Sequence, residues 1–298
     1  MEIKKGLFYM ALGAFSFGLM NALVKITSQY YSPLENVFYR AFFMIVFMGL
    51  LYFAKPFRFR AYKKGGGKIL AWRMGLGAVA MVLLCYNIYT MPLGTAMAFG
   101  QSAPIYAIFI AWLVFKEPLT WRLALAGVLG LLGVLLIANP HTSGLTFGLV
   151  LCGVLSALFK AIAYTSLSKL KAYYDSGFVI FVFSLFLCVI GAFGLFLNIP
   201  PFATGYHPMR FNGAWWHWDL WLLMGMGFSG TLGQYFLTKA YMCAPAGLVS
   251  PIDYTRLLWG TLFGVWLGDP WLGVYEGLGM ALVVGAGLLI TLGHKNKK

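Results

Sequence analysis

The sequence has 298 residues, of which 61% are hydrophobic and only 10% are charged, and its formal net charge is +14. This small share of polar side chains cannot cover a water-facing globule, so the composition excludes a soluble domain and indicates lipid as the main solvent. The positive charges lie mostly in short breaks between apolar segments. This distribution argues against a nucleic-acid partner.

In chain order, the sequence contains apolar stretches of about 20 residues, the length that an α-helix needs to cross a bilayer. We predict ten spans, at 7–27, 34–54, 69–89, 93–115, 119–138, 145–167, 176–197, 219–240, 246–267 and 270–292. None of them shows the alternation of apolar and polar residues that is typical of a membrane β-barrel. The predicted fold class is therefore all-α, a polytopic membrane protein with ten transmembrane helices.

The lysines and arginines predict the orientation of these spans. Fifteen of the 22 fall in the N-terminal segment, the C-terminal tail and every second loop, whereas the loops of opposite parity contain only Arg210. Cytoplasmic loops are the ones that carry excess Lys and Arg. We therefore expect a multi-pass protein of the cell (inner) membrane with both termini in the cytoplasm.

An internal repeat relates the two halves of the chain. A shift of 152 residues matches Tyr89 with Tyr241, Glu117 with Asp269, Pro118 with Pro270, Gly127 with Gly279, and Gly133 with Gly285. Because each half contains an odd number of spans, the copies insert in opposite orientations, one comprising residues 1–140 and the other 141–298. Inverted five-helix repeats are typical of secondary transporters, although a duplication retained only for folding is the alternative.

Two segments resemble a known family. Residues 89–140 (YTMPLGTAMAFGQSAPIYAIFIAWLVFKEPLTWRLALAGVLGLLGVLLIANP) and 244–268, which contain PAGLVSPIDYTRLLWGTLFGVWLG, resemble the matching parts of an EamA-type member of the drug/metabolite transporter superfamily. The runs at 92–96, 116–118 and 251–256 are most similar to the branch with S-adenosylmethionine and riboflavin carriers. The second half has Gly-Asp at 268–269 where the family has Gly-Glu. The resemblance implies alternating access around a cavity lined by spans one, three, four, six, eight and nine, with the glycine-rich spans five and ten away from it.

Ionisable residues inside the spans are the first candidates for a binding site, because an embedded charge usually faces a cavity or a partner. Asp253 and Arg256 are three residues apart on one helix face, where they could bind substrate, neutralise each other, or both. Lys160 lies too deep in span six to reach the membrane surface easily. Arg40 lies inside span two, and Glu35 or Glu276 could balance its charge.

Uncharged polar and aromatic residues complete the set. Asn21, Gln101 and Gln234 could bind substrate by hydrogen bonds or could join helices to each other. Tyr89 and Tyr254 could stack on a ring or a cation. We attribute Lys25, Lys239 and Arg73 instead to snorkelling, in which a long side chain reaches the membrane surface.

The predicted function is a secondary transporter of a small organic metabolite. Embedded bases outnumber acids, so we expect an anionic group joined to an aromatic or cationic part, as in S-adenosylmethionine or another zwitterionic metabolite. An amino-acid or drug/amine exporter of the same superfamily is the first alternative, and a membrane scaffold or receptor is the second.

We expect no catalytic residues, metal site or cofactor, and hence no enzyme activity. The run at 65–68 lacks the spacing and the hydroxyl residue of a phosphate-binding loop, and the four histidines lack metal-binding spacing. The expected partners are a small-molecule substrate and the lipid bilayer, without nucleic acid. A second copy of the chain, in a homodimer, is a further candidate partner.

Overall fold

The computed structural model describes most of the chain as helix. The described residues are 2–54, 56–59, 61–103, 105–106, 121–137, 145–202, 216–243, 252–271 and 273–295. Glu117, which the sequence places at the start of span five, lies outside these residues. Over the described ranges the fold is all-helical and contains no β-strand.

Eleven helices are formed within these ranges, and one of them has a single turn. They are α1 Glu2–Thr27, α2 Pro33–Ala54, α3 Gly67–Thr90, α4 Leu93–Gln101, α5 Trp121–Ile137, α6 Phe147–Thr165, α7 Leu167–Leu170, α8 Ser176–Phe196, α9 Trp216–Cys243, α10 Thr255–Trp266 and α11 Val274–Lys295. Five of them, α1, α2, α3, α6 and α8, contain stretches long and apolar enough to cross a membrane.

Most helix boundaries agree with the predicted spans, and the differences have local causes. The predicted spans 34–54, 69–89 and 176–197 correspond to α2, α3 and α8 within two residues at each end. The last helix begins at Val274 rather than at residue 270, because the carboxylate of Glu276 accepts the backbone N–H of Gly273 at 3.1 Å and fixes the first turn there.

Two helix starts carry capping groups that the sequence encodes. At α2, the Ser32 N–H donates to the Glu35 carboxylate at 2.7 Å, and the Glu35 N–H donates to the Ser32 hydroxyl at 3.4 Å. This reciprocal pair is a capping box, and Pro33 occupies the first helical position, where its missing N–H is no loss. At α8, the Asp175 carboxylate accepts the Gly177 N–H at 2.8 Å.

The surface of the helix bundle is apolar, and many of its polar side chains are buried. Phe53, Phe147, Phe196 and Trp266 are each more than 80% exposed, with values of 85%, 82%, 85% and 81%. A protein in water would hide such side chains, whereas lipid solvates them. Arginine and amide side chains are buried inside the same bundle. An apolar surface around a polar interior is the arrangement expected of a protein that spans a bilayer.

Each helix packs against a small number of other helices. Helix α1 packs against α9 and α10, and α6 packs against α3 and α4. Three further pairs are α2 with α8, α4 with α10, and α5 with α11. The last pair approaches closely at Gly133, where an added Cβ would lie 2.7 Å from the carbonyl oxygen of Gly279. Small residues at such positions allow helix backbones to approach each other within a membrane.

Candidate functional site

A polar cavity lies inside the bundle between α1, α3, α4, α6, α8, α9 and α10. These helices correspond to spans one, three, four, six, seven, eight and nine, so the cavity uses the six spans that the family resemblance implies, and Phe183 of α8 as well. The space open to the centres of water molecules is about 40 Å³. This volume holds roughly three waters. The cavity is therefore small in this conformation.

Lys160 of α6 lines the cavity and is held by two acceptors. Its ammonium nitrogen donates to the carbonyl oxygen of Gly100 at 2.9 Å and to Oε1 of Gln101 at 2.7 Å. The same nitrogen lies 5.6 Å from the centre of the Tyr164 ring. The side chain is half-buried, as expected of a residue that faces an internal space. The prediction that Lys160 lies on a cavity agrees with this position.

Gln101 connects Lys160 to the segment that precedes α10. Its Nε2 donates to the carbonyl oxygen of Asp253, while its Oε1 accepts from Lys160. One side chain therefore joins α4, α6 and residues 252–254. Gln101 therefore joins helices to each other and also lines the cavity. Its hydrogen bonding to substrate stays a prediction.

Asp253 and Arg256 form the ion pair that their spacing predicts. Nη2 of Arg256 lies 2.5 Å from Oδ1 of Asp253, and both side chains are buried. The guanidinium of Arg256 also lies over the ring of Phe17 on α1, with Cζ 4.3 Å from the ring centre. Its Nε has no hydrogen-bond partner among the described residues. Arg256 also lines the cavity, so the part of its guanidinium that Asp253 does not bind is available to a ligand there.

Arg73 also lines the cavity, and the prediction that it reaches the membrane surface by snorkelling is wrong. Its side chain is only 2% exposed, and Cζ lies 4.3 Å from the ring centre of Phe183 and 5.5 Å from that of Tyr164. The second turn of α3 is covered by α6 and α8, so a residue six positions after the helix start already lies inside the bundle. Gly77, one turn later, was the available signal, because its missing side chain makes room for the Arg73 guanidinium.

Arg40 and Asn21 lie against methionine sulfur atoms. Nη1 of Arg40 donates to Sδ of Met81, and Nδ2 of Asn21 donates to Sδ of Met97 at 2.9 Å. Arg40 is 0% exposed, and its Nε and Nη2 have no hydrogen-bond partner among the described residues. Asn21 lines the cavity directly, whereas Arg40 lies behind Met81. The carboxylates of Glu35 and Glu276, the candidate partners of Arg40, accept backbone N–H groups of their own helix starts.

The remaining predicted site residues differ in position. Gln234 of α9 is 2% exposed and lines the cavity. Tyr254 is buried beside Asp253 but does not line the cavity as described. Tyr89 is 43% exposed near the end of α3 and is not among the lining residues. The structure therefore brings Asn21, Gln101, Lys160, Gln234 and Arg256 to one space and leaves Tyr89 outside it.

One end of the bundle carries an ion pair that the sequence did not predict. Lys25, which we expected to snorkel, has its ammonium 3.4 Å from Oδ1 of Asp269. It also donates to the carbonyl oxygen of Met91 at 3.0 Å.

Among the described residues, no group of three or more His, Cys, Asp or Glu could hold a metal ion.

An apolar helical bundle around an internal cavity defines a class, the multi-pass membrane proteins. Comparison with known proteins identifies the family within this class. The profile of the EamA-like transporter family matches residues 4–139. An uncharacterized transporter of Helicobacter pylori strain J99 is 44% identical over 287 residues, which cover 96% of this chain and 94% of the relative. The chain belongs to the EamA-like transporter family of the drug/metabolite transporter superfamily.

Two more distant relatives have names that state a transported compound. The pseudopaline exporter CntI of Pseudomonas aeruginosa strain PAO1 is 28% identical over 296 residues, covering 97% of this chain and 94% of the relative. The riboflavin transporter of Vibrio cholerae is 25% identical over 295 residues, covering 96% and 93%. Both alignments extend over nearly the whole chain. The relatedness therefore includes the helices around the cavity.

Proposed function

We propose that the chain carries a small organic metabolite with an anionic group across the cell (inner) membrane, and that the metabolite binds in the polar cavity. The observation that carries this proposal is the charge of the cavity wall. Among the described lining residues, Arg73, Lys160 and Arg256 are cationic and none is acidic. A buried cation needs a compensating partner, and an anionic substrate supplies one.

The polar groups at the cavity have the following roles in this proposal. Lys160 and Arg256 bind the acidic group of the substrate, because both line the same space and charge-assisted hydrogen bonds are the strong ones. Asp253, held against Arg256, takes a positive group of a zwitterionic substrate or a coupling proton. Asn21, Gln101 and Gln234 bind uncharged polar groups.

Arg40, Tyr254 and Tyr89 do not line the cavity, and the proposal gives each of them a different role or none. Arg40 reinforces the positive potential from behind Met81 and becomes a direct ligand when that flexible side chain moves. Tyr254 is close enough in sequence to Asp253 to join the site after a small rearrangement of residues 252–254. Tyr89 has no role in it, because its ring is exposed away from the cavity.

We further propose that transport uses alternating access of two inverted repeats, residues 1–140 and 141–298. The described packing supports this, since exchanging the first five spans with the second five converts the α1 contacts with α9 and α10 into the α6 contacts with α3 and α4. The pairs α2 with α8, α4 with α10, and α5 with α11 convert into themselves. Gln101 and Asp253, which are hydrogen-bonded, are separated by the same 152 residues that relate the repeats.

The small volume of the cavity fits this mechanism. A space for roughly three waters is too small for an organic metabolite, so substrate binding requires the lining helices to separate. With both termini in the cytoplasm, as the positive residues predict, the Lys25–Asp269 pair closes the outer end. Opening then alternates between this end and the end where α1 and α3 begin.

The relatives support a metabolite of moderate size as the substrate and leave two directions of transport open. A pseudopaline exporter and a riboflavin transporter are both full-length relatives. An S-adenosylmethionine-like or other zwitterionic or aromatic metabolite fits the mixture of cations, amides and aromatic rings. The exporter among the relatives favours efflux as the second candidate, including efflux of amino acids.

Counterflow in proteoliposomes tests the proposal. Purified protein is reconstituted with radiolabelled S-adenosylmethionine, riboflavin or amino acids in turn, and exchange is measured for wild type, Lys160→Met and Asp253→Asn. We expect both variants to lose exchange of the accepted substrate. Lys239→Met is the matched control, because Lys239 lies in α9, near the ring of Tyr235, and does not line the cavity. Full exchange by folded Lys160→Met and Asp253→Asn protein would remove these residues from the site.

A further inference from the structure

Arg73 is a buried cation without a described carboxylate partner. Its side chain is 2% exposed, and its Nε and Nη1 have no hydrogen-bond partner among the described residues. A guanidinium cannot lose its proton in a protein, so it cannot escape the penalty of burial by becoming neutral. Contacts with the rings of Phe183 and Tyr164 offset only part of that penalty.

The acidic side chains that the structure describes all contact groups other than Arg73. The sequence has eight, and six of them have described side chains. Three fix helix starts and three contact other side chains, as follows: Glu35, Asp175 and Glu276 accept backbone N–H groups, Asp219 accepts the Tyr31 hydroxyl, Asp253 binds Arg256, and Asp269 binds Lys25. No described carboxylate is therefore left to neutralise Arg73.

The site around Arg73 is built to hold this side chain in place. Gly77 lies directly against Nη1, so any larger residue there would displace the guanidinium. The Phe183 ring covers it from α8, and the Tyr164 ring lies 5.5 Å from Cζ of Arg73 and 5.6 Å from Nζ of Lys160. Two cations that contact one ring thus line the same cavity.

The charge count of the cavity exceeds what a single acidic group would balance. Asp253 neutralises Arg256 through their ion pair, which leaves the charges of Arg73 and Lys160. A substrate whose single carboxylate binds Lys160 and Arg256 would leave Arg73 buried without a counter-charge. Such a charge inside a membrane protein is strongly unfavourable.

We propose that the cavity binds a substrate with two separate acidic groups, one held by Lys160 and Arg256 and the other by Arg73. This inference rests on the proposed function and narrows its substrate class from an anionic metabolite to a dianionic one. Arg73 is then a specificity-determining residue. Its free N–H groups form the second acid-binding position.

Short dicarboxylic acids are suitable probes, since they present two carboxylates at a defined separation whatever the natural substrate is. The thermal unfolding of purified protein is measured with linear dicarboxylates from malonate to suberate and with the monocarboxylates of equal length, at constant ionic strength. We expect a dicarboxylate of one preferred length to bind about tenfold to a hundredfold more tightly than its monocarboxylate, as one charged hydrogen-bonded contact provides.

Variants then assign this preference to Arg73. Arg73→Gln should abolish the advantage of the dicarboxylate over the monocarboxylate, whereas Arg73→Lys should restore part of the advantage. Arg58→Gln is the control, because Arg58 is an exposed arginine outside the cavity. It should behave like wild type.

The outcomes distinguish this inference from the proposed function. Equal binding of mono- and dicarboxylates by wild type at every length overturns the second acid-binding position and leaves the single anionic site intact. A dicarboxylate preference that persists in Arg73→Gln overturns the role of Arg73. Binding of neither kind of acid overturns both proposals. The wild-type comparison needs no variant, so poor folding of Arg73→Gln cannot prevent the decision.

Discussion

The ammonium nitrogen of Lys25 lies 3.4 Å from Oδ1 of Asp269, and this contact joins the end of α1 to the segment between α10 and α11. The other carboxylate oxygen of Asp269 accepts the backbone N–H of Leu93 at 2.7 Å, which adds the start of α4. Lys25 also binds the carbonyl oxygen of Met91. Four segments from both halves of the chain therefore meet at this ion pair.

The pair should stabilise the closed end cooperatively. We expect Lys25→Met and Asp269→Asn each to lower the thermal unfolding temperature, with Asp269→Asn the more damaging because Asp269 also holds Leu93. The double variant should lose less than the two single losses together, with a coupling energy of about 1 kcal/mol. Thermal unfolding of the four proteins in detergent measures this coupling. Strictly additive losses would contradict it.

Gly77 should be required for the position of Arg73. Gly77→Ala inserts a methyl group where the guanidinium lies, so we expect it to reduce transport of the substrate about tenfold or more while the protein still inserts. Gly75→Ala is the matched control on the same helix, since no atom lies within 4 Å of an added Cβ at that position. Uptake and membrane yield of both variants are measured side by side. Equal activity of the two would contradict the role assigned to Gly77.

A carboxylate at position 101 should compete with the substrate. Oε1 of Gln101 accepts from Lys160 at 2.7 Å, so Gln101→Glu creates an internal ion pair with that ammonium. We expect KM for an anionic substrate to rise about tenfold, with a smaller change in the maximal rate. Gln29→Glu, the same change at an exposed position after α1, controls for added charge. An unchanged KM in Gln101→Glu would show that Lys160 does not bind the substrate.

The close approach of α5 and α11 predicts unequal effects of two glycine substitutions. Gly133→Ala directs a methyl group at the Gly279 carbonyl and at Val283, and we expect a loss of about 1–3 kcal/mol of stability. Gly285→Ala meets no atom within 4 Å, and we expect no loss or a gain of up to about 1 kcal/mol. Thermal unfolding in detergent separates these outcomes. Similar losses at both positions would contradict the described packing.

Sequence reasoning predicted the helices well, because long apolar runs in a bilayer can satisfy their backbone groups almost only as helices. The bounds of α2, α3 and α8 were predicted from apolar length alone. Breaks inside apolar runs were harder to predict. The predicted span 246–267 reads as continuous, yet Tyr254 forms a turn before α10 begins.

The site was predicted less completely, because a span on its own does not reveal which of its faces is covered. Lys160 and Arg256 were found since their depth makes a lipid-facing position too unfavourable. Arg73 was missed because its distance from the span end allows snorkelling, and only the packing of α6 and α8 on α3 excludes it. Tyr89 was included because an aromatic side chain suits both a lipid-facing surface and a cavity wall, and its ring is in fact exposed.

The methionine residues around the cavity have a consequence for selectivity. Sulfur atoms of Met81 and Met97 bind Arg40 and Asn21, and both methionines form part of the cavity wall. Thioether side chains have three freely rotating bonds and adapt their shape at little energetic expense. Such a wall can adapt to ligands of different shapes. The fixed guanidinium groups behind and beside it disfavour a ligand that is not anionic. We therefore expect recognition by this protein to be strict about ionisation and lenient about outline.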